Sequence, residues 1–321
     1  MRKRQKPALR YLRVLCATVS MLVVVPCGCS KGDARRDQLV RAIRNNDYTS
    51  AAQLLRQSPK LANAEVSTMR AIRTPQSVLI IAVENNHASI AELLIRKGAE
   101  VTYRDYRQWT ALHYAAERGS SQIIELLLAA GADPDICDND GLTPMMLAVE
   151  SGERTAVDLL RNSGAKSGCR LHEAAALGDF DAAIAEVKRA PQAINSRQHY
   201  WSPLALAARH GHLEVAAFLV RNGACVDDEA FREAARSGHL SVVKLLRPHI
   251  LNIDDNGGGS VQYTALQVAA MEGHTAVVTY LLHEGADPEV VTQGFTTIEL
   301  ARNADQNRIA DLLVRHMQSK P

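Results

Sequence analysis

The chain has 321 residues, of which 46% are hydrophobic and 22% charged, a composition that excludes a disordered chain and a membrane protein with many spans. Aromatic residues make up only 4%, so the core must be aliphatic and rich in alanine, which favours packed helices over barrels and sandwiches. The net charge is +2, but six basic residues and no acid lie within residues 1–28, so the rest of the chain carries 31 − 35 = −4. This mildly acidic body gives no electrostatic basis for binding nucleic acid.

The amino terminus has the layout of a signal peptide. The six basic residues precede an uncharged, largely apolar stretch over residues 14–25, which is followed by Pro26-Cys27-Gly28-Cys29-Ser30. A helix that spans a membrane needs roughly 20 apolar residues, so this stretch is too short, and no later stretch of the chain is apolar enough. The pattern predicts a signal peptide over residues 1–28, export, and a tether over residues 29–34.

The residues Gly28-Cys29-Ser30 resemble the lipobox of bacterial lipoproteins, in which a small residue precedes a lipidated Cys that becomes the new amino terminus. Pro26 stands where that motif usually has Leu. The resemblance implies lipidation of Cys29 and attachment to the membrane through this lipid. Because Ser30 is not the Asp that retains such proteins in the inner membrane, we expect an outer-membrane lipoprotein facing the periplasm. An ordinary secreted protein and an uncleaved anchor are the alternatives.

A short motif then recurs along the chain, in its clearest form at residues 110–116, 143–149, 202–208 and 264–270. The first Ala of each copy falls at Ala42, Ala82, Ala115, Ala148, Ala174, Ala207, Ala234, Ala269 and Ala301, with spacings of 40, 33, 33, 26, 33, 27, 35 and 32. A period near 33 with this motif resembles the ankyrin repeat. The resemblance implies an all-α repeat fold, an ankyrin-repeat solenoid of helix-turn-helix units with β-hairpin fingers, in one domain of about nine repeats over residues 35–321.

Local signals predict where the helices of each repeat begin and end. A hydroxyl residue precedes the first helix in most copies and is expected to cap it, and Gly is expected to end the second helix. Pro59, Pro191 and Pro248 replace that ending in three copies. The spacings of 26 and 27 predict that the fingers before Leu171 and Phe231 are absent or stunted.

No catalytic or metal-binding motif is found outside the repeat pattern. His113 and His172 follow the helix caps, where a structural hydrogen bond is expected. Asp133, Asp135 and Asp138 have neither the spacing nor the final Glu of a calcium loop. We therefore expect no enzymatic activity, no cofactor and no bound metal.

In four of the six full-length copies an aromatic residue occupies the position just before the capping hydroxyl, where the other two have Gln76 and Leu142. In ankyrin repeats this position is on the fingers. Large aromatic side chains on an exposed rim are typical anchors of interfaces, so contact with a protein partner is expected there. The predicted partner-binding residues are Trp109, Trp201, Tyr263 and Phe295, together with Tyr106, Arg107, His199 and Arg209. In the alternative interpretation, each ring lies flat on the neighbouring finger.

The resemblance implies a monomeric scaffold for protein–protein interaction, exported and anchored by lipid in the bacterial envelope. A secreted effector or inhibitor of a host or foreign protein is the alternative. An enzyme with a cryptic site between repeats is disfavoured, because the sequence offers no converging acid, base and nucleophile.

Overall fold

The computed structural model describes residues 31–67, 75–166, 168–256 and 263–319. The predicted signal peptide and Cys29 lie outside these residues. The described chain confirms the all-α repeat class, because its helices follow one another in pairs. In chain order they are α1 Lys31–Arg44, α2 Tyr48–Gln57, α3 Val78–Glu84, α4 Ala88–Arg96, α5 Ala111–Glu117, α6 Ser121–Ala129, α7 Pro144–Glu150, α8 Arg154–Asn162, α9 Arg170–Leu177, α10 Phe180–Arg189, α11 Pro203–His210, α12 Leu213–Arg221, α13 Asp228–Arg236, α14 Leu240–Leu246, α15 Ala265–Met271, α16 Thr275–His283, α17 Thr297–Asn303 and α18 Asn307–Ser319.

The pairs fall into two compact units that meet in sequence between Cys169 and Arg170. The described part of the first unit contains the four pairs from α1 to α8, and that of the second contains the five pairs from α9 to α18. The prediction that residues 35–321 form one domain stays a prediction.

The predicted hydroxyl caps begin the first helices. The side chains of Thr143, Ser202 and Thr296 accept hydrogen bonds from the backbone N–H groups of Met146, Ala205 and Glu299, at 3.3, 3.1 and 3.3 Å. These bonds satisfy N–H groups that a helix start leaves without an intrahelical partner.

The connections between pairs have the two predicted lengths. Full fingers separate most pairs, whereas α8 ends at Asn162 and α9 begins at Arg170, and α12 ends at Arg221 and α13 begins at Asp228. Both short connections lie where the repeat spacing predicts a missing finger. Among the described fingers, one forms a two-stranded antiparallel sheet, β1 Glu65–Ser67 with β2 Pro75–Ser77, and two others close with a single bridge.

Proline ends three second helices as predicted. Short 3-10 turns follow at Pro59–Asn63, Pro191–Asn195 and Arg247–His249. After two of these turns, an Asn reaches the next repeat: Asn63 accepts from the Glu100 N–H at 2.7 Å, and Asn195 accepts from the Cys225 N–H at 2.8 Å.

The core of each unit lies between stacked first helices and is built from small residues. Ala115 and Ala148 in the first unit, and Ala207, Ala234 and Ala269 in the second, are fully buried. Alanine lets the helix backbones approach closely, and each pair buries its apolar face only against the next. None of the described helices combines the length and the apolar character that a bilayer crossing requires.

A second contact joins consecutive pairs in the second unit, where a histidine ring lies over a glycine of the preceding pair. His274 immediately precedes α16, and its Nε2–H donates to the Arg236 carbonyl at 2.8 Å. Gly238 follows α13 with a φ of +78°, and a Cβ there would lie 2.5 Å from His274 Nδ1. His212 over Gly178 and His239 over Gly211 repeat the arrangement, with Nε2 3.0 and 3.1 Å from the Ala176 and Arg209 carbonyls.

Two glycine substitutions separate backbone strain from this ring contact. Gly223 has a φ of +91° and open space around its Cβ position, so Gly223→Ala should cost about 1–2 kcal/mol, the strain of a left-handed residue. Gly238→Ala must also displace His274 and its hydrogen bond, which adds about 1 kcal/mol. Urea denaturation of both variants measures the difference, and in a His274→Ala background that difference should disappear. If both substitutions lower the free energy of unfolding equally in the chain that retains His274, the contact between His274 and Gly238 is contradicted.

Candidate partner-binding surface

Trp109 is buried, with 1% of its surface exposed, which corrects the expectation that it stands on an open rim. Its indole N–H donates to Asp138 Oδ2 of the following finger at 2.7 Å. The His113 ring is stacked 5.9 Å away, and Tyr114 meets the indole edge-on at 4.9 Å. The ring packs on its neighbours because the next finger supplies a carboxylate for its polar N–H, the partner that a buried indole requires.

Asp105 folds the finger that carries Trp109. Its Oδ1 accepts the backbone N–H groups of Arg107 and Trp109 at 2.8 and 2.9 Å, and its own N–H donates to the Trp109 carbonyl at 3.0 Å. Gln108 completes the tight turn with a φ of +63°. The same pattern recurs in the next finger, where Asp138 Oδ1 accepts from the Asp140 and Leu142 N–H groups at 2.8 and 2.9 Å.

Arg107 lies over the ring of Trp109. Its guanidinium carbon lies 3.8 Å from the centre of the Trp109 ring, which is the distance of a cation–π contact. Its Nη2–H donates to the Tyr114 hydroxyl at 3.3 Å, and that hydroxyl donates to Asp105 Oδ2 at 2.7 Å. Burial raises the pKa of Tyr114, so the phenol stays protonated and the chain of hydrogen bonds keeps this direction.

In the second unit, Trp201 repeats part of this construction. Trp201 is 6% exposed, so the prediction that it stands on an exposed rim is also wrong. Arg209 lies over the ring at 4.9 Å, and its Nη1 is 3.9 Å from the buried carboxylate of Glu233. His199 is half-buried, with its ring centre 3.7 Å from that of the exposed Tyr200.

The other two aromatic side chains at this position are less buried. Tyr263 is half-buried, and its hydroxyl donates to Gln293 of the next finger at 3.2 Å. Phe295 is 44% exposed and precedes α17, the first helix of the last described pair, after which no described finger can cover it. Tyr106 is 50% exposed at the tip of its finger. Contact of these side chains with a partner stays a prediction.

The histidines after the caps bridge consecutive repeats. His113 Nδ1 accepts from the Thr110 backbone N–H at 3.1 Å, so we assign the ring proton to Nε2, which lies 3.2 Å from the Leu142 carbonyl. His172 Nε2 lies 3.0 Å from the Trp201 carbonyl. Burial lowers the pKa of His113 from 6.5 to about 4, so its imidazole is neutral at pH 7.

Gln267 makes the corresponding two hydrogen bonds with its side-chain amide. Its Oε1 accepts from the Thr264 N–H at 3.0 Å, and its Nε2 donates to the Val290 carbonyl at 2.9 Å. A group without a titratable proton therefore fits this position of the repeat.

Three residues that organise the surface were missed in the sequence: Asp105, Asp138 and Glu233. A signal for the first two existed, because each acid stands four residues before a buried apolar side chain and the pair is separated by one repeat. Within the described ranges, His, Cys, Asp and Glu side chains nowhere gather in threes at a geometry suited to a metal ion.

Comparison with known proteins places these repeats in a family. A model described as ankyrin repeats in three copies matches residues 39–138, 79–170, 130–230, 171–256 and 226–292. A probable E3 ubiquitin-protein ligase, XBOS33, of Oryza sativa is 40% identical over 88 residues, 27% of this chain and 15% of that protein. Protein fem-1 homolog A-like of Mus musculus is 37% identical over 95 residues, 28% and 14% of the two lengths. Protein HOS4 of Saccharomyces cerevisiae is 29% identical over 99 residues, 30% and 9% of the two lengths. The match thus spans a small part of each relative.

Replacing the first bridging histidine tests its protonation. Between pH 6.5 and about 4 only the unfolded chain protonates His113, so the folded state loses stability as the pH falls through this window. His113→Gln copies Gln267, so it should unfold near the original urea concentration at pH 7 and be more stable than the original chain by about 2–3 kcal/mol at pH 4.5. Urea denaturation followed by tryptophan fluorescence measures both. If the two chains differ in free energy of unfolding by the same amount at pH 7 and at pH 4.5, His113 is not the group that makes the stability depend on pH.

Proposed function

Because this chain belongs to the ankyrin-repeat family, we propose that it is an exported scaffold, anchored by a lipid on Cys29, that holds a protein partner in the bacterial envelope. Ankyrin arrays are modules for protein–protein interaction. Export and anchoring are supported by the order of the basic segment, the short apolar segment and Gly28-Cys29-Ser30. The proposed location is the outer membrane, facing the periplasm, with the chain acting as a monomer and without catalysis.

The observation that carries partner binding is the position of exposed apolar side chains. Of the eight large hydrophobic side chains exposed in the described chain, five lie on fingers between helix pairs: Tyr106, Tyr200, Leu251, Val291 and Phe295. The cores of the units do not use these groups. Four of them lie on three fingers of the second unit, and Tyr106 lies on a finger of the first unit. Exposed large side chains on such connecting segments are typical of protein-binding surfaces.

A secreted protein that binds a host or foreign protein is the second candidate. Pro26, at the position where the lipobox usually has Leu, favours it, because lipidation requires recognition of that motif. Both candidates use the same fingers and differ in the anchor.

Labelling with a fatty acid separates the two candidates. The chain is expressed in a bacterium in its original form, as Cys29→Ala, and as Cys27→Ala, which is the matched control in the same segment. We expect label in the original and Cys27→Ala chains and none in Cys29→Ala, with mass spectrometry locating the lipid on the terminal Cys29. An unlabelled original chain that begins at Ser30 or later would support the secreted candidate.

Photo-crosslinking tests the fingers as the partner-binding surface. A photoreactive phenylalanine replaces Tyr106 or Phe295 on the fingers, and in the control it replaces Phe180, an exposed aromatic residue at the start of α10. We expect a discrete crosslinked protein from the two finger positions and none from Phe180. Equal crosslinking from all three positions, or from none, would contradict binding through the fingers.

A further inference from the structure

The side chain of Arg107 is held in place by its surroundings, yet most of its donors are unused. The guanidinium carbon lies 3.8 Å from the centre of the Trp109 ring and 6.0 and 5.7 Å from the rings of Tyr106 and Tyr114. In the part of the chain that the structure describes, the guanidinium donates one hydrogen bond, to Tyr114, and its Nε is buried without an acceptor. An arginine carries five N–H donors, so this one has unfilled capacity.

The two acids that organise this finger and the next one are occupied by other donors. Both oxygens of Asp105 are filled, by two backbone N–H groups and the Tyr114 hydroxyl. Asp138 receives two backbone N–H groups and the Trp109 indole N–H. No ion pair of the described residues includes Arg107, so its charge has no carboxylate at hydrogen-bond distance.

Arg209 provides an internal comparison. It also lies over a buried tryptophan, at 4.9 Å from the ring of Trp201, but its Nη1 is 3.9 Å from the carboxylate of Glu233. An arginine therefore lies over a buried tryptophan at two places in the chain. Arg209 has a carboxylate beside it, and Arg107 does not.

Two further side chains complete an exposed surface, the Arg107 surface, made of Arg104, Tyr106 and Arg107. Arg104 is exposed and fixed to the following finger, because its Nη2–H donates to the Cys137 carbonyl and its Nε–H to the Gln108 carbonyl of its own finger. Tyr106 is half exposed. The surface therefore presents two ordered positive charges and an aromatic ring.

We propose that the Arg107 surface binds an acidic segment of the partner protein, with Arg107 taking a carboxylate of Asp or Glu. The inference rests on the proposed function and names the chemistry of the partner. A planar guanidinium matches a carboxylate with two parallel hydrogen bonds, which makes this pairing stronger than a neutral one. Stacking on Trp109 fixes the guanidinium beforehand, so binding loses little side-chain entropy.

Tryptophan fluorescence can test the surface without knowledge of the partner, because the chain has only two tryptophans. In Trp201→Phe the sole tryptophan is Trp109, directly beneath Arg107. In Trp109→Phe it is Trp201, beneath the paired Arg209, and this is the matched control. The probe is a short peptide with Glu at alternate positions, compared at constant ionic strength with the same peptide carrying Gln.

We expect the Glu peptide to change Trp109 fluorescence saturably, and the Gln peptide and the Trp201 reporter to give no response. Adding Arg107→Gln to the Trp109 reporter should weaken binding at least about tenfold, the loss of a charged hydrogen bond. Arg107→Lys keeps the charge without the planar fork and should weaken binding less. It also keeps the test valid if the Gln variant unfolds.

Three results would overturn the inference: binding unchanged by both Arg107 variants, an equal response from Trp201, or a response to inorganic phosphate at lower concentration than to the Glu peptide. The experiments distinguish failure of this inference from failure of the proposed function. If the fingers crosslink a partner and the Arg107 variants bind the Glu peptide as before, only the acidic partner is excluded. If the peptide binds at Arg107 and no finger crosslinks, the scaffold role is excluded and the carboxylate site stands.

Discussion

Each unit depends on a hydrogen bond that leaves one repeat and ends in the next. His113 and Gln267 each donate to a carbonyl of the following finger and also accept the N–H of the residue that caps their own helix. His172 Nε2 lies at hydrogen-bond distance from the Trp201 carbonyl and the Gln198 N–H, both in the following finger. One side chain thus fixes a helix start and the position of the neighbouring finger together. Because a lone helix pair has no following carbonyl and no neighbour for its apolar face, its fold is completed only by stacking. The surface of the fingers is therefore a property of consecutive repeats.

This dependence explains the different environments of two aromatic side chains at one repeat position. Trp109 is covered by the finger that contains Asp138, whereas Phe295 precedes the last described pair and stays exposed. Each buried tryptophan has an arginine stacked on its ring: Arg107 lies over Trp109, and Arg209 lies over Trp201. The chemistry offered to a partner then comes from the covering arginine and from exposed neighbours such as Tyr106.

The sequence was sufficient for features that are encoded within one repeat. The capping by Thr143 and Ser202, the proline ending at Pro191 and the short connection before Phe231 all follow from residues close together in the chain. The burial of Trp109 and Trp201 was foreseen only as the alternative to an exposed rim. It depends on Asp138, which lies 29 residues after Trp109, and on arginines that approach from different directions in the two cases: Arg107 precedes its tryptophan and Arg209 follows it. The repeat period aligned these tryptophans correctly but contained no information about what lies across from them.

The glycine and histidine contacts of the second unit have a consequence for how the chain can change its length. Gly211 precedes His212, and Gly238 precedes His239. Each repeat here therefore has a histidine ring that lies over a glycine of the preceding repeat, and a glycine that is covered by a histidine ring of the following repeat. Duplication of residues 212–238 would place a new Gly-His pair at the junction and rebuild a ring-over-glycine contact on each side of the added repeat. The first unit lacks this symmetry, since Glu153 takes the place of the ring over Gly119. Gain or loss of a whole repeat is therefore least disruptive between His212 and His274, where the ends of neighbouring repeats are interchangeable.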